Sequence, residues 1–155
     1  MEEYTMHKFS RIESNNQSFL SNFKIPFVLV RMTENILRHS IFDAKRDMRV
    51  FLKEMGIHDY NTQSLGQKGK IIIKTHILTF KRQIETQTSL YRTETRGDER
   101  MWFGSAVLPL TCPDDIYAVF IKNSELYIIN ITKIDIENCY QSSFPNPIKE
   151  WIKVY

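Results

Sequence analysis

Short runs of apolar and β-branched residues, separated by polar turns, make up most of the chain after residue 25. Runs of this length and composition predict β-strands, and the run over residues 27–30 predicts a strand that is largely buried. The pattern predicts about six or seven strands, among them residues 27–30, 71–80, 84–92, 101–103, 116–121 and 126–131. The last two flank Lys122-Asn123-Ser124-Glu125, whose length and composition indicate a β-hairpin.

One helix is predicted over residues 43–55. Its apolar residues fall on one helical face, with the spacing i, i+4, i+7, i+8 and i+11: Ala44, Met48, Phe51, Leu52 and Met55. Asp43 is a favourable N-cap, and Gly56 falls where a left-handed residue often ends a helix. The opposite face carries the basic residues Lys45, Arg46, Arg49 and Lys53. Such a face is typically solvated, and it can also contact phosphates.

Weaker signals surround these elements. We assign no structure to about the first dozen residues, whereas Phe19, Leu20 and Phe23 can dock a short helix on the body. Residues 31–40 predict either a short helix or an irregular arm that projects from a sheet edge. Residues 57–70 predict a long loop, which in a compact domain is either mobile or functional. Residues 135–140 indicate one helical turn, and residues 148–155 indicate a short amphipathic end.

The order of these elements indicates a mainly β fold with one or two helices. Most of the predicted strands are joined by short turns, and the one clear helix lies near the start of the strand series. We therefore expect an antiparallel, strongly curved sheet or barrel rather than a doubly wound α/β fold. The length of 155 residues fits a single domain that can bury a core.

The net charge is concentrated in the middle of the chain. The formal total is +3, but residues 24–104 contain 15 Lys and Arg against 9 Asp and Glu, a surplus of +6. Such a surplus attracts a polyanion, although it also suits an ordinary soluble surface. The apolar runs are too short to span a membrane, and Met1-Glu2-Glu3-Tyr4 begins no signal region. We therefore expect a cytoplasmic protein with no membrane partner.

Residues 90–104 carry the most distinctive chemistry. They contain three arginines and three acids, so their formal charge is zero, and Gly97 is the residue able to take positive φ between two strands. Arginine offers a fork of donors that suits guanine O6 and N7, whereas a carboxylate can accept from cytosine N4. The same residues would also suit a solvated hairpin in which arginines pair with carboxylates.

Two further segments offer polar groups that suit nucleic acid. In residues 31–40, Asn35 can pair with adenine and Arg38 with guanine, although the segment also suits an ordinary surface helix. In residues 57–70, four side chains are reasonable phosphate contacts: Gln63, Gln67, Lys68 and Lys70. The glycine spacing there does not match the phosphate-binding loop of nucleotide enzymes.

Catalytic signals are weak by comparison. The acid-x-Lys match to a metal-dependent nuclease, Asp43-Ala44-Lys45, opens the predicted helix instead of ending a strand. The four histidines are scattered, and Cys112 and Cys139 lack metal spacing and read as plain thiols. Asp114-Asp115 lies in a loop beside Pro113 and indicates the start of a helix or a turn. We therefore expect no catalytic residue, no metal site and no cofactor.

The order of the segments resembles a known family. A strand leads into a polar arm, then a helix, further strands, and an Arg- and acid-rich loop before Met101-Trp102-Phe103. This order resembles the amino-terminal effector domain of EcoRII-type restriction endonucleases, and still more the similar domain attached to some MvaI-like restriction endonucleases. The resemblance spans roughly residues 25–131. It rests on Val30-Arg31-Met32-Thr33-Glu34-Asn35, Leu90-Tyr91-Arg92, Thr95-Arg96-Gly97-Asp98-Glu99-Arg100-Met101-Trp102 and the hairpin over residues 116–130.

The resemblance implies a DNA-binding pseudobarrel of about seven strands, the fold shared with the B-three domains of plant transcription factors. In that family, two arms hold the major groove like a wrench. The corresponding segments here are residues 31–40, the N-arm, and residues 92–100, the C-arm, although residues 33–40 replace a glycine-rich N-arm in the EcoRII domain. The expected DNA-binding residues are Arg31, Thr33, Glu34, Asn35, Arg38, His39, Gln67, Lys68, Lys70, Arg92, Glu94, Thr95, Arg96, Asp98, Glu99, Arg100 and Trp102.

The implied function is sequence-specific binding of double-stranded DNA at a short G·C-containing site that resembles CCWGG. The chain would be the non-catalytic effector or targeting domain of a bacterial type II restriction endonuclease, acting with a C-terminal or separate nuclease domain. Residues 1–24 and 132–155 would flank its core. Two other classes stay open on the residues alone: a small metal-dependent restriction-type nuclease, and a protein-interaction module whose charged arm pairs with another protein.

Overall fold

The computed structural model describes residues 8–80 and 82–142. Within these residues, seven strands form one curled, mixed sheet, a half-barrel that confirms the mainly β fold class and agrees with a pseudobarrel. The strands are β1 Val28–Met32, β2 Phe42–Asp43, β3 Ile71–Leu78, β4 Gln83–Arg92, β5 Glu99–Trp102, β6 Asp115–Lys122 and β7 Glu125–Asn130. The helices are α1 Arg11–Asn22, α2 Glu34–His39, α3 Arg46–Glu54 and α4 Ile136–Ser142.

The strand order is β1-β6-β7-β3-β4-β5-β2. All neighbours pair in antiparallel fashion except β3 and β7, which pair in parallel. The expectation of an antiparallel sheet was wrong at this pair. The reason is that β3 and β7 are far apart in sequence, so no turn between them signals how they meet.

The register of the strands explains why the sheet curls. β3 pairs with β4 along its whole length, but it pairs with β7 only through residues 75–78. β5 in turn pairs only with the last part of β4, residues 89–92. A stagger that accumulates across a sheet tilts its strands and bends it toward closure.

The central strands β6 and β7, which form where the two apolar runs predicted strands, are buried on both faces. In β6, Tyr117 and Val119 belong to an inner core that also contains Leu52 of α3. The intervening Ala118 belongs to an outer core that contains Leu20 of α1. This division follows from the two-residue period of a strand, which turns successive side chains to opposite faces.

The first helix begins earlier than we expected. α1 starts at Arg11, because Ser10 and Glu13 form a capping box in which each side chain accepts a hydrogen bond from the other's backbone N–H. This signal is present in the sequence but lies near the start, where no structure had been assigned. The predicted docking of the helix is confirmed, since Phe19 and Leu20 are buried in the outer core.

The helix predicted over residues 43–55 starts later, at Arg46. Asp43 is not its N-cap, which is Lys45. Instead Asp43 ends β2, where its backbone pairs with β5 and its carboxylate forms an ion pair with Arg100. This tertiary pairing outweighs the local preference of aspartate for an N-cap. At the other end, Gly56 has the predicted left-handed conformation, with φ +74°.

The predicted hairpin turn is formed, and the segment left open between a helix and an irregular arm is helical. Between β6 and β7, Asn123 and Ser124 have φ +54° and +63°, which matches the two-residue turns that favour hairpins. Residues 33–40 take the helical alternative: Thr33 caps α2 by accepting a hydrogen bond from the N–H of Ile36 at 3.2 Å. Ser40 ends α2 in the left-handed region.

The remaining predictions concern the ends of the described chain. The helical turn predicted over residues 135–140 is confirmed as α4, whereas residues 148–155 lie outside the described residues.

The cysteines are free, with Cys112 exposed and Cys139 buried. In the described part of the chain, no helix has both the length and the apolar character needed to cross a membrane.

Candidate nucleic-acid interface

The C-arm is a tight hairpin whose backbone closes on itself. The N–H of Thr93 donates to Asp98 O at 2.9 Å, and the N–H of Gly97 donates to Thr93 O at 3.0 Å. The N–H of Asp98 also donates to the Thr93 hydroxyl at 2.8 Å. Gly97 has φ +74°, as the sequence predicted for this turn. The loop between β4 and β5 is therefore fixed by its own hydrogen bonds.

Arg92 supports this loop from within. Its Nε donates to Gly97 O at 2.9 Å, which spans the base of the loop. The contact is close, because a Cβ placed on Gly97 would lie 2.8 Å from Nη2 of Arg92. Although Arg92 is among the expected DNA-binding residues, its Nε–H is already committed to the protein.

Arg100 is likewise held inside the protein. Its side chain is only 28% exposed, and it lies between the carboxylates of Asp43, 2.7 Å from Nε, and Asp98, 3.4 Å from Nη2. The Nε–H is buried and not aligned with Asp43, so that contact is an ion pair without a hydrogen bond. The carbonyl of Arg100 accepts from the Tyr60 hydroxyl at 3.0 Å. Burial raises the pKa of Tyr60, with Glu99 as a second cause, which keeps this donor protonated.

The tip of the C-arm presents the opposite situation. Glu94, Thr95 and Arg96 are exposed, and in the residues that the structure describes no ion pair or hydrogen bond engages the Arg96 guanidinium. The three side chains together offer hydrogen-bond donors, an acceptor and a hydroxyl. Such a set can match base edges of either polarity in a major groove.

The turn that contains the predicted phosphate contacts lies directly beside the C-arm. Leu65 forms a parallel bridge with Arg92, and the N–H of Gly66 donates to Arg92 O at 2.8 Å. Gly66 opens the 3₁₀ turn Gln67–Gly69. The structure therefore brings the C-arm together with three of the predicted residues, all of them exposed: Gln67, Lys68 and Lys70.

Two residues of the same loop have structural positions that sequence reasoning did not assign. Gln63, which we considered as a phosphate contact, donates from Nε2 to Gly69 O at 2.7 Å and to Leu90 O at 2.8 Å. Gly69 approaches the backbone of Ser64 so closely that a Cβ would lie 2.0 Å from Ser64 O. In the sequence, the spacing of the glycines was the signal available for this loop. In the structure, Gly69 is required by the close packing of its backbone against Ser64.

The N-arm presents a separate polar surface on β1 and α2. Arg31 pairs with Asp114 at 3.2 Å, and Glu34 pairs with Arg38 at 3.5 Å, one helical turn apart. Both pairs are largely exposed, and exposed ion pairs contribute little stability. Asn35 and His39 are also exposed. Thr33 is committed to capping α2, whereas the other polar side chains of α2 face solvent.

The two arms are joined through β2. α2 leads through Ser40 into β2, and β2 pairs with β5, where Phe42 lies opposite Met101 and Asp43 opposite Arg100. The strand that directly follows the N-arm is thus paired with the strand that begins at the base of the C-arm. Trp102 of β5 is half-buried and packs against the inner core, so much of its ring is committed to packing.

Several carboxylates around this surface pair with arginines, and the described residues contain no arrangement suited to a metal ion. In residues 8–80 and 82–142, no group of three His, Cys, Asp or Glu side chains is arranged to hold a metal ion. Glu99 lies 3.9 Å from Arg49 of α3, whose Nη1 donates to Ala44 O at 2.6 Å. Comparisons of the chain with protein-family models, curated proteins and solved structures give no match.

Proposed function

We propose that the chain is a sequence-specific double-stranded DNA-binding domain whose C-arm enters the major groove while the N-arm contacts the same duplex. We also propose that the chain is the non-catalytic effector or targeting domain of a type II restriction endonuclease in the bacterial cytoplasm. It would recognise a short G·C-containing site and direct a nuclease domain in the same or a separate chain. The restriction role rests on the resemblance in the sequence, whereas DNA binding rests on the site.

The main observation behind the proposal is that two arginines of the C-arm contact the protein while the third is exposed. Arg92 and Arg100 hold the hairpin from inside, and Arg96 at its tip is exposed and unpaired among the described residues. Because the backbone of the hairpin is already fixed, binding has to order only the side chain of Arg96 and not the loop that carries it. A rigid hairpin with a free arginine at its tip is well suited to bidentate contact with guanine.

The N-arm supports the same function by different means. α2 is capped at both ends, so its exposed residues are carried on a defined helix. Asn35 suits adenine, and Arg38 can exchange its exposed partner Glu34 for a base or a phosphate at small cost. The pairing of β2 with β5 fixes α2 relative to the C-arm. Two arms in a fixed relation would read one site in a single register.

Selection from a random duplex pool tests this proposal. The purified chain is incubated with the pool at two salt concentrations without divalent metal, and the retained DNA is sequenced. We expect one short motif to be enriched and to survive the higher salt, because base contacts depend on salt much less than phosphate contacts. Binding that shows no motif and collapses with salt would reject base reading by the arms. Absence of any retained DNA would reject DNA binding itself.

A further inference from the structure

The C-arm hairpin is flanked on both sides by basic side chains that come from different parts of the chain. On one side, Gly66 joins β4 to the turn that carries Lys68 and Lys70. On the other, the N–H of Ala44 donates to Glu99 O at 3.0 Å. Ala44 is followed directly by Lys45 and Arg46, which begin α3. Both pairs are exposed.

None of these four cations has an acidic partner within the described residues, unlike the two basic residues further along α3. Further along α3, Arg49 lies near Glu99 and Lys53 pairs with Asp59 at 3.7 Å. The sequence predicted a single basic face on α3. In the structure, acidic neighbours offset the charges in the C-terminal part of that face, whereas the charges at its start have no such neighbour among the described residues. The acidic residue nearby, Asp47, accepts a hydrogen bond from the N–H of Met48.

The position of Lys45 and Arg46 is electrostatically unfavourable in the free protein. Lys45 is the N-cap of α3 and offers no side-chain hydrogen bond to the first turn, and Arg46 is the first helical residue. The N-terminal end of a helix carries partial positive charge, so cations are disfavoured there and anions are favoured. An anion bound at this point would offset both the side-chain charges and the helix dipole.

The separation of the two basic pairs follows from the strands between them. Four residues lie side by side on neighbouring segments of the chain. Leu65 forms a bridge with Arg92, Arg92 pairs with Glu99, and Ala44 is hydrogen-bonded to Glu99. Neighbouring strands lie about 4.8 Å apart, so these three steps span roughly 14 Å. The major groove of B-DNA is about 12 Å wide. The backbone positions that lead into the two pairs are therefore about one groove width apart.

We propose that Lys45 and Arg46 form one phosphate clamp and Lys68 and Lys70 a second, and that the two clamps hold opposite strands of a duplex on either side of the C-arm. This inference rests on the proposed function and adds to it a contact surface on α3. The clamps would carry affinity without sequence information, since phosphates are alike at every base pair. The C-arm between them would supply the sequence reading.

Salt dependence of binding tests the clamps on the intact chain. Each pair is changed to glutamine in turn, and affinity for the selected duplex is measured over a range of salt concentrations. A control pair removes the same charge from exposed residues at the two ends of α1. The three double variants are Lys45→Gln with Arg46→Gln, Lys68→Gln with Lys70→Gln, and Arg11→Gln with Lys24→Gln.

We expect each clamp variant to lower the slope of log affinity against log salt by about two, because roughly one counterion is released for each phosphate contact. The control pair should leave the slope unchanged, and all three variants should select the same motif as the parent chain. A slope in Lys45→Gln with Arg46→Gln that equals that of the control would overturn the clamp on α3. If the parent chain selects a motif and the slopes do not change, only this inference fails.

Phosphate-ethylation interference tests the geometry of the clamps independently. We expect the parent chain to show interference on both strands, and each clamp variant to lose it on one strand, with the two variants affecting opposite strands. Loss on the same strand for both variants would overturn the spanning arrangement. Because the variants are compared by position along the DNA, a general loss of folding would remove all interference and be distinguished from the loss of one clamp.

Discussion

Three arginines in the C-arm have the same side chain but different surroundings. Arg92 donates to Gly97 O, and Arg100 lies between two carboxylates. Redirecting either guanidinium to a base would first break contacts within the protein and leave their partners unsatisfied. Arg96 has no such contacts to break among the described residues. At the scale of the residue, Arg96 is therefore the arginine best placed to read a base.

Replacement of Arg96 tests this assignment. We expect Arg96→Ala to weaken binding to the selected duplex by about 1–3 kcal/mol and to relax the sequence preference, as for other bidentate arginines. Binding to a scrambled duplex should change much less. Arg82→Ala, an exposed arginine between β3 and β4, is the control. Fluorescence anisotropy titrations with both duplexes measure the effect, and equal losses on the two duplexes would contradict a base contact.

Gly97 and Gly56 form a matched pair that separates backbone strain from the shape of the C-arm. Both have φ +74°, but a Cβ on Gly97 would meet Arg92 at 2.8 Å, whereas a Cβ on Gly56 would meet nothing within 4 Å. We expect each change to alanine to cost about 1–2 kcal/mol of unfolding free energy, since a left-handed alanine is strained. Only Gly97→Ala should also weaken DNA binding. Urea unfolding and anisotropy measure the two effects, and equal DNA affinity in both variants would disprove the link to the hairpin.

At the scale of the element, the sequence predicted what depends on local pattern. Runs such as residues 116–121 indicated strands, and residues 122–125 indicated the hairpin, because side-chain period and turn chemistry act over a few residues. The boundary at Asp43 was wrong because its partner, Arg100, comes from a distant strand. The parallel pairing of β3 with β7 was missed for the same reason.

The candidate site shows the same limit. Composition was enough to single out residues 90–104 as a hairpin rich in arginine and acids. It could not separate Arg96 from Arg92 and Arg100, because that difference depends on how the loop closes and on the position of Asp43. Sequence also could not show that Lys45 and Arg46 lack an acidic partner among the described residues, since only the fold shows that Arg49 lies near Glu99 and that Lys53 pairs with Asp59.

A titratable carboxylate connects the start of β6, the end of β7 and the segment that follows β7. Asp115, which begins β6, is only 3% exposed. Burial raises the pKa of its carboxyl, but hydrogen bonds from Cys112 N–H, Asn130 and Lys133 outweigh burial, so the pKa lies below its ordinary value. Lys133 Nζ lies 2.9 Å from one carboxylate oxygen. The ionised form therefore fastens these two strands to Lys133.

This contact predicts a loss of stability in acid. Because the pKa of Asp115 is lower in the folded state than in the unfolded state, its stabilisation is fully present above the unfolded value, near pH 4, and is lost as the pH falls through the folded value. We expect Asp115→Asn to be less stable than the parent at pH 7 by about 1–3 kcal/mol. The difference should shrink below about pH 4. Urea unfolding across this range measures it.

The neighbouring carboxylate supplies the control for this prediction. Asp114 is exposed and pairs with Arg31 at 3.2 Å on the surface, where ion pairs contribute little. Asp114→Asn should therefore follow the parent closely at every pH. A difference between Asp115→Asn and the parent that stays constant from neutral to acid pH would show that the carboxylate charge is not responsible.

At the scale of the whole molecule, one sheet separates two cores with different neighbours. The inner core contains residues of α3, β2 and β5, which lie at the base of the C-arm. The outer core contains α1 and α4, which pack on the other face of the central strands. Stability can therefore be changed from the outer face without altering the surface that carries the arms.

Asn16 of α1 offers the means to test this separation. It is 1% exposed, and its side chain holds the segment that leads from β7 into α4. Its Nδ2 donates to Ile131 O at 2.8 Å and to Ile134 O at 2.6 Å, and its Oδ1 accepts from the N–H of Ile136 at 2.9 Å. Removing the amide would leave all three backbone groups without this partner in a buried place.

We expect Asn16→Ala to lower the unfolding free energy by about 1–3 kcal/mol or more, the cost of a buried polar group that loses its partner. Asn15→Ala, one position earlier on the exposed side of α1, should leave it nearly unchanged. Both variants should select the same DNA motif with the parent's affinity at a temperature where they are folded, because the arms are attached to elements that pack on the inner core. A changed motif in Asn16→Ala would mean that the outer face is coupled to the C-arm through the sheet, and the two cores would then act as one unit.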